Sequence, residues 1–193
     1  MTEQVFFSLA IVTGAVVFFG VYLAAAWRTS DGDREPMPPF GWFSWVDRYL
    51  KATSFAIPLA SLWWRSDWLL LWPSVPALRW AGLFVAAAGA LVLAWALRTL
   101  GPQFSRCDAA RLPTGVVASG PYRWVRHPVY TGNLLALAGL TLLSGSWLMV
   151  GNLLLLAGCY AWIAKREEDA LGQNFDGYHN YAATRGRFFP RLW

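Results

Sequence analysis

Charges along this chain gather into a few short clusters, and between them lie apolar runs long enough to cross a bilayer. Val5 to Trp27 carries no charge over roughly 23 residues, and a helix of that length crosses about 30 Å of hydrocarbon at 1.5 Å per residue. It predicts a first span. The run is too long for the apolar core of a signal peptide, the segment before it is acidic and no small-residue cleavage site follows, so it is expected to be retained. Arg28 to Gly41 mixes charges with proline and glycine and reads as a loop. Trp45 to Trp64 is mostly apolar but holds Asp47, Arg48 and Lys51 near its start and Pro58 within, which predicts a kinked second span beginning near Tyr49.

Arg65 to Pro76 is too short in its apolar part to cross, and Pro73 and Pro76 are expected to stop a helix there, leaving an interfacial or re-entrant turn. Arg79 to Leu100 predicts the third span, with Ala86, Ala90 and Ala94 forming a ridge of small residues that should face protein. Leu134 to Ala164 runs for roughly 31 residues without a charge and contains Ser144-Gly145-Ser146 near its middle. A tight helical hairpin fits, against the alternative of one long tilted helix. The pattern therefore predicts an all-α, polytopic membrane protein of about five transmembrane helices with a C-terminal helical hairpin.

Composition agrees, with 56% apolar and only 14% charged residues. Of the thirteen tryptophans, Trp27, Trp42, Trp45, Trp63, Trp64, Trp72 and Trp80 lie near the ends of apolar runs, where indoles anchor at the headgroup level as well as pack. The net charge of +5 comes without a basic stripe or a readout motif, so membrane lipids are the expected partner and nucleic acid is not. No obligate protein partner is evident. Cys107 and Cys159 are too few and too far apart for a metal cluster or disulfide framework and read as free thiols.

Sidedness follows from lysine and arginine in the connections. Arg98, Arg106, Arg111, Arg123 and Arg126 stand against Asp108 alone between Arg98 and His127, while the Ser144 turn holds no charge. That segment is expected to be cytoplasmic. Five spans then put the N-terminus outside and the tail, with Lys165, Arg166, Arg185, Arg187 and Arg191, on the cytoplasmic face.

Two polar clusters interrupt the apolar pattern. Ser119 to Asn133 packs Tyr122, Arg123, Arg126, His127, Tyr130 and Asn133 into the mouth of a span, where unpaired polar groups are costly to bury. Pro121, Pro128, Gly120 and Gly132 shape it as a loop leading into a helix. The second cluster, Lys165 to Asp169, follows the last span, and Leu171, Phe175 and Tyr178 continue it at helical spacing. Adjacent acids point about 100° apart, so Glu167 is expected to turn to the bundle and Glu168 to water. Each feature alone has a structural explanation: arginines snorkel, acids after a span are solvated, and His127 is a hydrogen-bonding loop residue.

In combination they resemble the isoprenylcysteine carboxyl methyltransferase family and its phospholipid methyltransferase relatives. The resemblance lies in Gly120-Pro-Tyr-Arg-Trp-Val-Arg-His-Pro-Val-Tyr-Thr-Gly132, then Glu167-Glu168 with Leu171, then Phe175, Tyr178, Tyr181 and a closing Arg187-Phe-Phe-Pro190. It covers Gly101 to the C-terminus and implies a catalytic region over 101–193, preceded by the three spans that the apolar runs predict over residues 1–100. It also implies an S-adenosyl-L-methionine cofactor, with Val116, Val117, Tyr122, Arg126, His127, Pro128, Val129, Tyr130 and Asn133 lining its pocket and Glu167 holding a polar group. The methyl acceptor would be a lipophilic substrate from the bilayer, foremost an isoprenylcysteine-like carboxylate, with a phospholipid amine or a thiol as alternatives.

His127 and Arg166 are the catalytic candidates, and Arg166, Arg185 and Arg187 the substrate-binding ones; no metal is expected. Relatives that methylate a carboxylate carry an arginine one helical turn before the equivalent of Glu167, where this chain has Ile163. The rival classes are a sterol-type reductase using NADPH, for which the chain shows no phosphate-binding glycine fingerprint, and a non-enzymatic membrane scaffold.

Overall fold

A computed structural model describes residues 3–27, 43–63, 75–104 and 115–191. Among the described residues six α-helices follow one another: α1 (Glu3–Trp27), α2 (Phe43–Trp63), α3 (Pro76–Leu100), α4 (Pro128–Ser144), α5 (Trp147–Asn174) and the short α6 (Tyr178–Ala183). No strand occurs among the described residues, whose extended pairing is limited to a bridge between Val125 and Gly186. Among the described residues α1, α3 and α5 are long and apolar enough to cross a membrane. α4 is apolar but shorter, and α2 carries its charges inside the helix.

Cross-contacts show that successive long helices run in opposite directions. The Gln4 amide donates to the Leu62 carbonyl at 3.1 Å and the Trp63 indole to Ser8 Oγ at 2.8 Å, so the start of α1 meets the end of α2. At the other end of α1, Tyr22 reaches Phe104, beyond α3, and bonds Asn133, near the start of α4. The ends of α1, α3 and α5 and the beginnings of α2 and α4 therefore share one end of the bundle.

α3 and α4 pack backbone against backbone. A methyl added at Gly82 would stand 2.6 Å from the Gly139 carbonyl oxygen, and one at Gly132 would stand 2.6 Å from the Leu93 nitrogen. Added methyls at Gly89 and Gly139 would overlap the backbones of Ala136 and Ala86. The contact ridge is thus Gly82, Ala86, Gly89 and Leu93, which shares only Ala86 with the expected Ala86-Ala90-Ala94 row. Steps of four, three and four residues stay on one face of a helix with 3.6 residues per turn, whereas constant steps of four drift around it. In a bilayer, where lipid is as apolar as leucine, such close approach is a main source of helix association.

The break at Ser144-Gly145-Ser146 is the predicted hairpin turn. Gly145 adopts φ 63°, the left-handed conformation glycine tolerates, and its N–H caps Thr141 at 3.1 Å. Ser144 Oγ donates to the Thr141 carbonyl at 2.9 Å and accepts from the Ser146 N–H at 3.3 Å. Hydroxyls thereby satisfy a buried helix end.

Several boundaries differ from expectation. α2 begins at Phe43, ahead of Tyr49, because the Lys51 ammonium bonds Asp47 one turn away at 2.7 Å and the helix carries both charges inward. Pro76 opens α3, since proline's missing N–H is unneeded at the first helical position. α5 runs past the apolar segment to Asn174, but Phe175 is extended and Tyr178 starts a separate helix. Cys159 is a free thiol. Of the interfacial tryptophans, Trp45, Trp63 and Trp80 are exposed near helix ends. The expected turn over 65–75, Cys107, Trp42, Trp64 and Trp72 lie outside the described residues.

Gly139→Val is expected to destabilise the fold by about 3 kcal/mol or more through overpacking, read as the unfolding midpoint in detergent. Gly158→Ala is the control: an added methyl there meets nothing within 4 Å, so stability should hold or rise by about 1 kcal/mol.

Candidate active site

His127 stands at the mouth of α4 because Pro128 begins the helix and bars a helical conformation before itself. Its carbonyl accepts the Thr131 N–H at 3.1 Å, and its own N–H donates to the Arg187 carbonyl at 3.1 Å. Next to it the Arg126 N–H donates to the Gly186 carbonyl at 2.9 Å, and Thr131 Oγ1 donates to the Phe188 carbonyl at 2.8 Å. Farther back, the Tyr181 hydroxyl donates to the Tyr122 carbonyl at 2.9 Å. The C-terminal tail is laced to the Gly120–Pro128 segment in this way, so two stretches some 60 residues apart become one surface.

α5 delivers its two adjacent acids to that surface. Glu168 Oε1 lies 3.0 Å from His127 Nε2 and accepts Arg187 Nε at 3.0 Å, while its Oε2 accepts Arg187 NH2 at 2.6 Å and lies 3.3 Å from Arg126 NH1. Glu167 Oε1 accepts the Tyr130 hydroxyl at 2.7 Å, and its Oε2 lies 3.3 Å from His127 Nδ1. Glu167 keeps 30% of its side chain exposed, against 10% for Glu168. Both acids therefore turn to the site, and Glu168, expected to face water, is the more buried; three cations converge on it and offset its desolvation. Glu168 is the site residue that sequence reasoning missed, and the only signal for it was its place beside Glu167.

With a carboxylate at each ring nitrogen, His127 satisfies both only as the doubly protonated imidazolium. Burial opposes that charge, but the hydrogen bonds and negative charge of Glu167 and Glu168 outweigh it and raise the imidazole above its ordinary value. The ring also stacks on Tyr130 at 5.4 Å between centroids, and Tyr130 stacks on Tyr160 at 4.5 Å. Tyr122 is buried, and desolvation together with the charge of Glu167 holds its hydroxyl well above the usual tyrosine range.

The other candidate residues divide. Arg126 joins the cluster, with its Nε buried and without a hydrogen-bond partner. Pro128 is buried and Val129 half-buried, and Val116 and Val117 are half-buried in the irregular segment before Tyr122. Asn133 lies one turn deeper, donating to the Tyr22 and Tyr160 hydroxyls at 2.7 and 3.0 Å. Arg187 is committed to Glu168, and Arg185 donates to the Tyr181 carbonyl and the Thr184 hydroxyl. Arg166 is exposed, its guanidinium 4.3 Å over the Trp162 ring and not among the groups that meet at His127. Ile163 is fully buried in the core.

Glu168→Gln, which leaves Arg187 without its anion and His127 with Glu167 alone, is expected to cost about 3 kcal/mol in chemical unfolding. The raised His127 value gives a pH signature. Its contribution should be complete below the ordinary value of 6.5 and disappear as pH rises through the folded-state value. Unfolding midpoints of wild type and His127→Gln measured across pH should therefore converge toward alkaline pH; a constant gap would contradict the imidazolium assignment.

A family model described as phospholipid methyltransferase matches residues 77–177, just over half of the chain. The match takes in α3 from its second residue, the His127 segment, α4 and all of α5, so it begins earlier than the resemblance seen in the motifs and leaves out α1 and α2. The chain is 34% identical over 85 residues to the nickel-cobalt-cadmium resistance protein NccN of Alcaligenes xylosoxydans xylosoxydans, covering 44% of this chain and 40% of that protein. It is 37% identical over 78 residues to the cobalt-zinc-cadmium resistance protein CzcN of Cupriavidus metallidurans, covering 40% of this chain and 36% of that protein. The chain thus spans about two fifths of the length of the curated relatives it matches. Membrane-length apolar helices, a polar site closed by distant segments and this match agree: the chain belongs to the phospholipid methyltransferase family of integral membrane methyltransferases.

Proposed function

We propose that the chain is an S-adenosyl-L-methionine-dependent methyltransferase whose acceptor is a lipophilic molecule drawn from the bilayer, foremost an isoprenylcysteine-like carboxylate. The observation that carries this reading is the unequal use of two neighbouring acids. Glu168 is committed to Arg187, Arg126 and His127, whereas Glu167 stays 30% exposed while meeting the Tyr130 hydroxyl at 2.7 Å and His127 Nδ1 at 3.3 Å. A cofactor bearing an α-ammonium and a carboxylate needs such an acceptor beside donors. Glu167 would hold the ammonium, and Arg126, with its unpartnered Nε, the carboxylate. Val116, Val117, Tyr122, Pro128, Val129 and Tyr130 would form the walls.

When bound, S-adenosyl-L-methionine supplies an electrophilic methyl group on a sulfonium. The chain's own part is orientation and exclusion of water; alignment of two reactants supplies roughly 7 to 11 kcal/mol in good cases. His127, held as an imidazolium, positions Glu167 and does not take a proton. That suits a carboxylate acceptor, which needs no general base. A phospholipid amine is the second reading, favoured by the description of the matching family; it calls for a base that the protonated His127 does not provide.

Five spans, an outer N-terminus and a cytoplasmic site and tail accord with the alternating directions of α1 to α5. Arg123, Arg126, Arg166, Arg185 and Arg187 all gather at the site end, as the positive-inside tendency requires. Titration calorimetry of the detergent-solubilised protein with S-adenosyl-L-methionine is expected to show at least about tenfold weaker binding for Glu167→Ala than for wild type. Equal affinities would remove Glu167 from the cofactor site and the reading with it. Mass spectrometry of a membrane extract incubated with enzyme and deuteromethyl-labelled cofactor then identifies the acceptor, a labelled ester being the expected product.

A further inference from the structure

Four exposed side chains outside the cofactor cluster meet where α3 ends. On α3 these are Trp95 and Arg98, three residues apart and so on one face of the helix. The other two are Arg123, the last residue of the short 3-10 helix Gly120–Arg123, and Trp124, which caps it. That helix is seated on the last turn of α3: Gly120 has φ 54°, and a methyl added to it would stand 2.6 Å from Thr99 Oγ1. Pro121 and Tyr122 are buried, as is Val125, which leaves Arg123 and Trp124 to face outward.

The indoles of Trp95 and Trp124 meet edge to face at 5.5 Å between centroids and are 44% and 43% exposed. The Arg123 guanidinium lies 4.3 Å over the Trp124 ring. A guanidinium over an indole face keeps its in-plane N–H donors available. No carboxylate meets Arg98 or Arg123 among the described residues, whereas Arg126 and Arg187 both have Glu168. α3 is long and apolar enough to cross the membrane, so side chains exposed near its end stand at the depth of lipid headgroups. The ligand selected by such a place is a phosphate at the top of an acyl chain: arginines take the phosphate oxygens, indole N–H groups the ester oxygens, and the rings the first methylenes. Two cations without an acid favour a head of net negative charge over one that carries its own ammonium. The Arg166–Trp162 stack on α5 offers one guanidinium on one helix and serves as the comparison.

We propose that Trp95, Arg98, Arg123 and Trp124 form a docking site for an anionic phospholipid, whose headgroup clamps the 3-10 helix to the end of α3. The occupied site holds the wall of the cofactor cluster from outside. Tyr122, next to Arg123, is buried, and its carbonyl accepts the Tyr181 hydroxyl at 2.9 Å. The N–H groups of Tyr122, Trp124 and Val125 close the turn onto the carbonyls of Ser119 and Pro121. A headgroup bridging Arg98 and Arg123 ties this turn to a membrane helix, so the charge of the leaflet reaches the segment that leads to His127. The lipid is a fixed neighbour and not the methyl acceptor, and the assignment stands whichever group is methylated.

The test uses the full chain in nonionic detergent and native mass spectrometry with phosphatidylglycerol and phosphatidylcholine of identical acyl chains at equal concentration. Wild type is expected to retain phosphatidylglycerol with a preference of at least about tenfold. In the double variant Arg98→Gln, Arg123→Gln that preference should fall to about threefold or less. Lys165→Gln, Arg166→Gln, which removes the same charge at the same end of the bundle, should keep it. No preference in wild type, or equal loss in the two double variants, overturns the site. Displacement of the bound lipid by glycerol 3-phosphate at equal concentration shows a free-phosphate site and overturns the lipid assignment. Hydrogen exchange in nanodiscs reads the clamp: amides over residues 120–125 of wild type should exchange at least about threefold more slowly with phosphatidylglycerol than with phosphatidylcholine, and equally in Arg98→Gln, Arg123→Gln. Equal exchange in wild type overturns the clamp. The wild-type comparisons decide the matter even where a variant does not fold. No readout needs S-adenosyl-L-methionine, so failure of the methyl-transfer reading and failure of the lipid site are seen separately.

Discussion

A carboxylate at the end of a membrane helix is stable in a buried place only when cations meet it there, and Glu168 is met by three. Arg126 and His127 come from the segment before α4, and Arg187 from the tail. Their convergence binds α5, α4 and the C-terminus into one unit. The two backbone bonds from Arg126 and His127 to Gly186 and Arg187 align the tail so that its guanidinium meets Glu168 with both oxygens engaged. Glu167, on the same turn, is then left facing Tyr130 and His127 with part of its surface open. One acid builds the wall and its neighbour stands at the opening.

α4 organises the depth of the site. Gly132, Ala136 and Gly139 on one face let α3 approach to backbone contact, and Tyr130 and Asn133 point to the opposite side, toward α5 and α1. A helix with small residues on one face and polar aromatic partners on the other is held rigidly while presenting chemistry. From His127 through Tyr130 and Tyr160 to Asn133 the stacked rings and hydroxyls form a continuous polar path from the loop surface into the apolar bundle. At that depth the Asn133 amide nitrogen donates to the Tyr22 and Tyr160 hydroxyls, which offsets part of the cost of burying polar groups in a low-dielectric interior.

The helical path of the chain was legible because its causes are local. Uncharged runs of membrane length mark α1 and α3, and the Ser144-Gly145-Ser146 break marks the hairpin because a left-handed residue between two apolar runs ends one helix whatever surrounds it. The polar residues of the Ser119–Asn133 and Lys165–Asp169 clusters were legible as chemistry because burying them demands partners. That they belong together came from the resemblance of the motifs, since nothing local links residues forty positions apart.

What tertiary structure alone decided is rotation and register. Whether Glu167 or Glu168 is buried, whether Ala90 or Gly89 meets α4, and whether Lys51 looks to lipid or to Tyr22 and Tyr160 all depend on how each helix is turned about its axis. A run that is apolar on every side carries no stripe to set that turn. The turn was set instead by which backbones approach closely and which charges find a counterion, and both conditions exist only once distant segments are in contact.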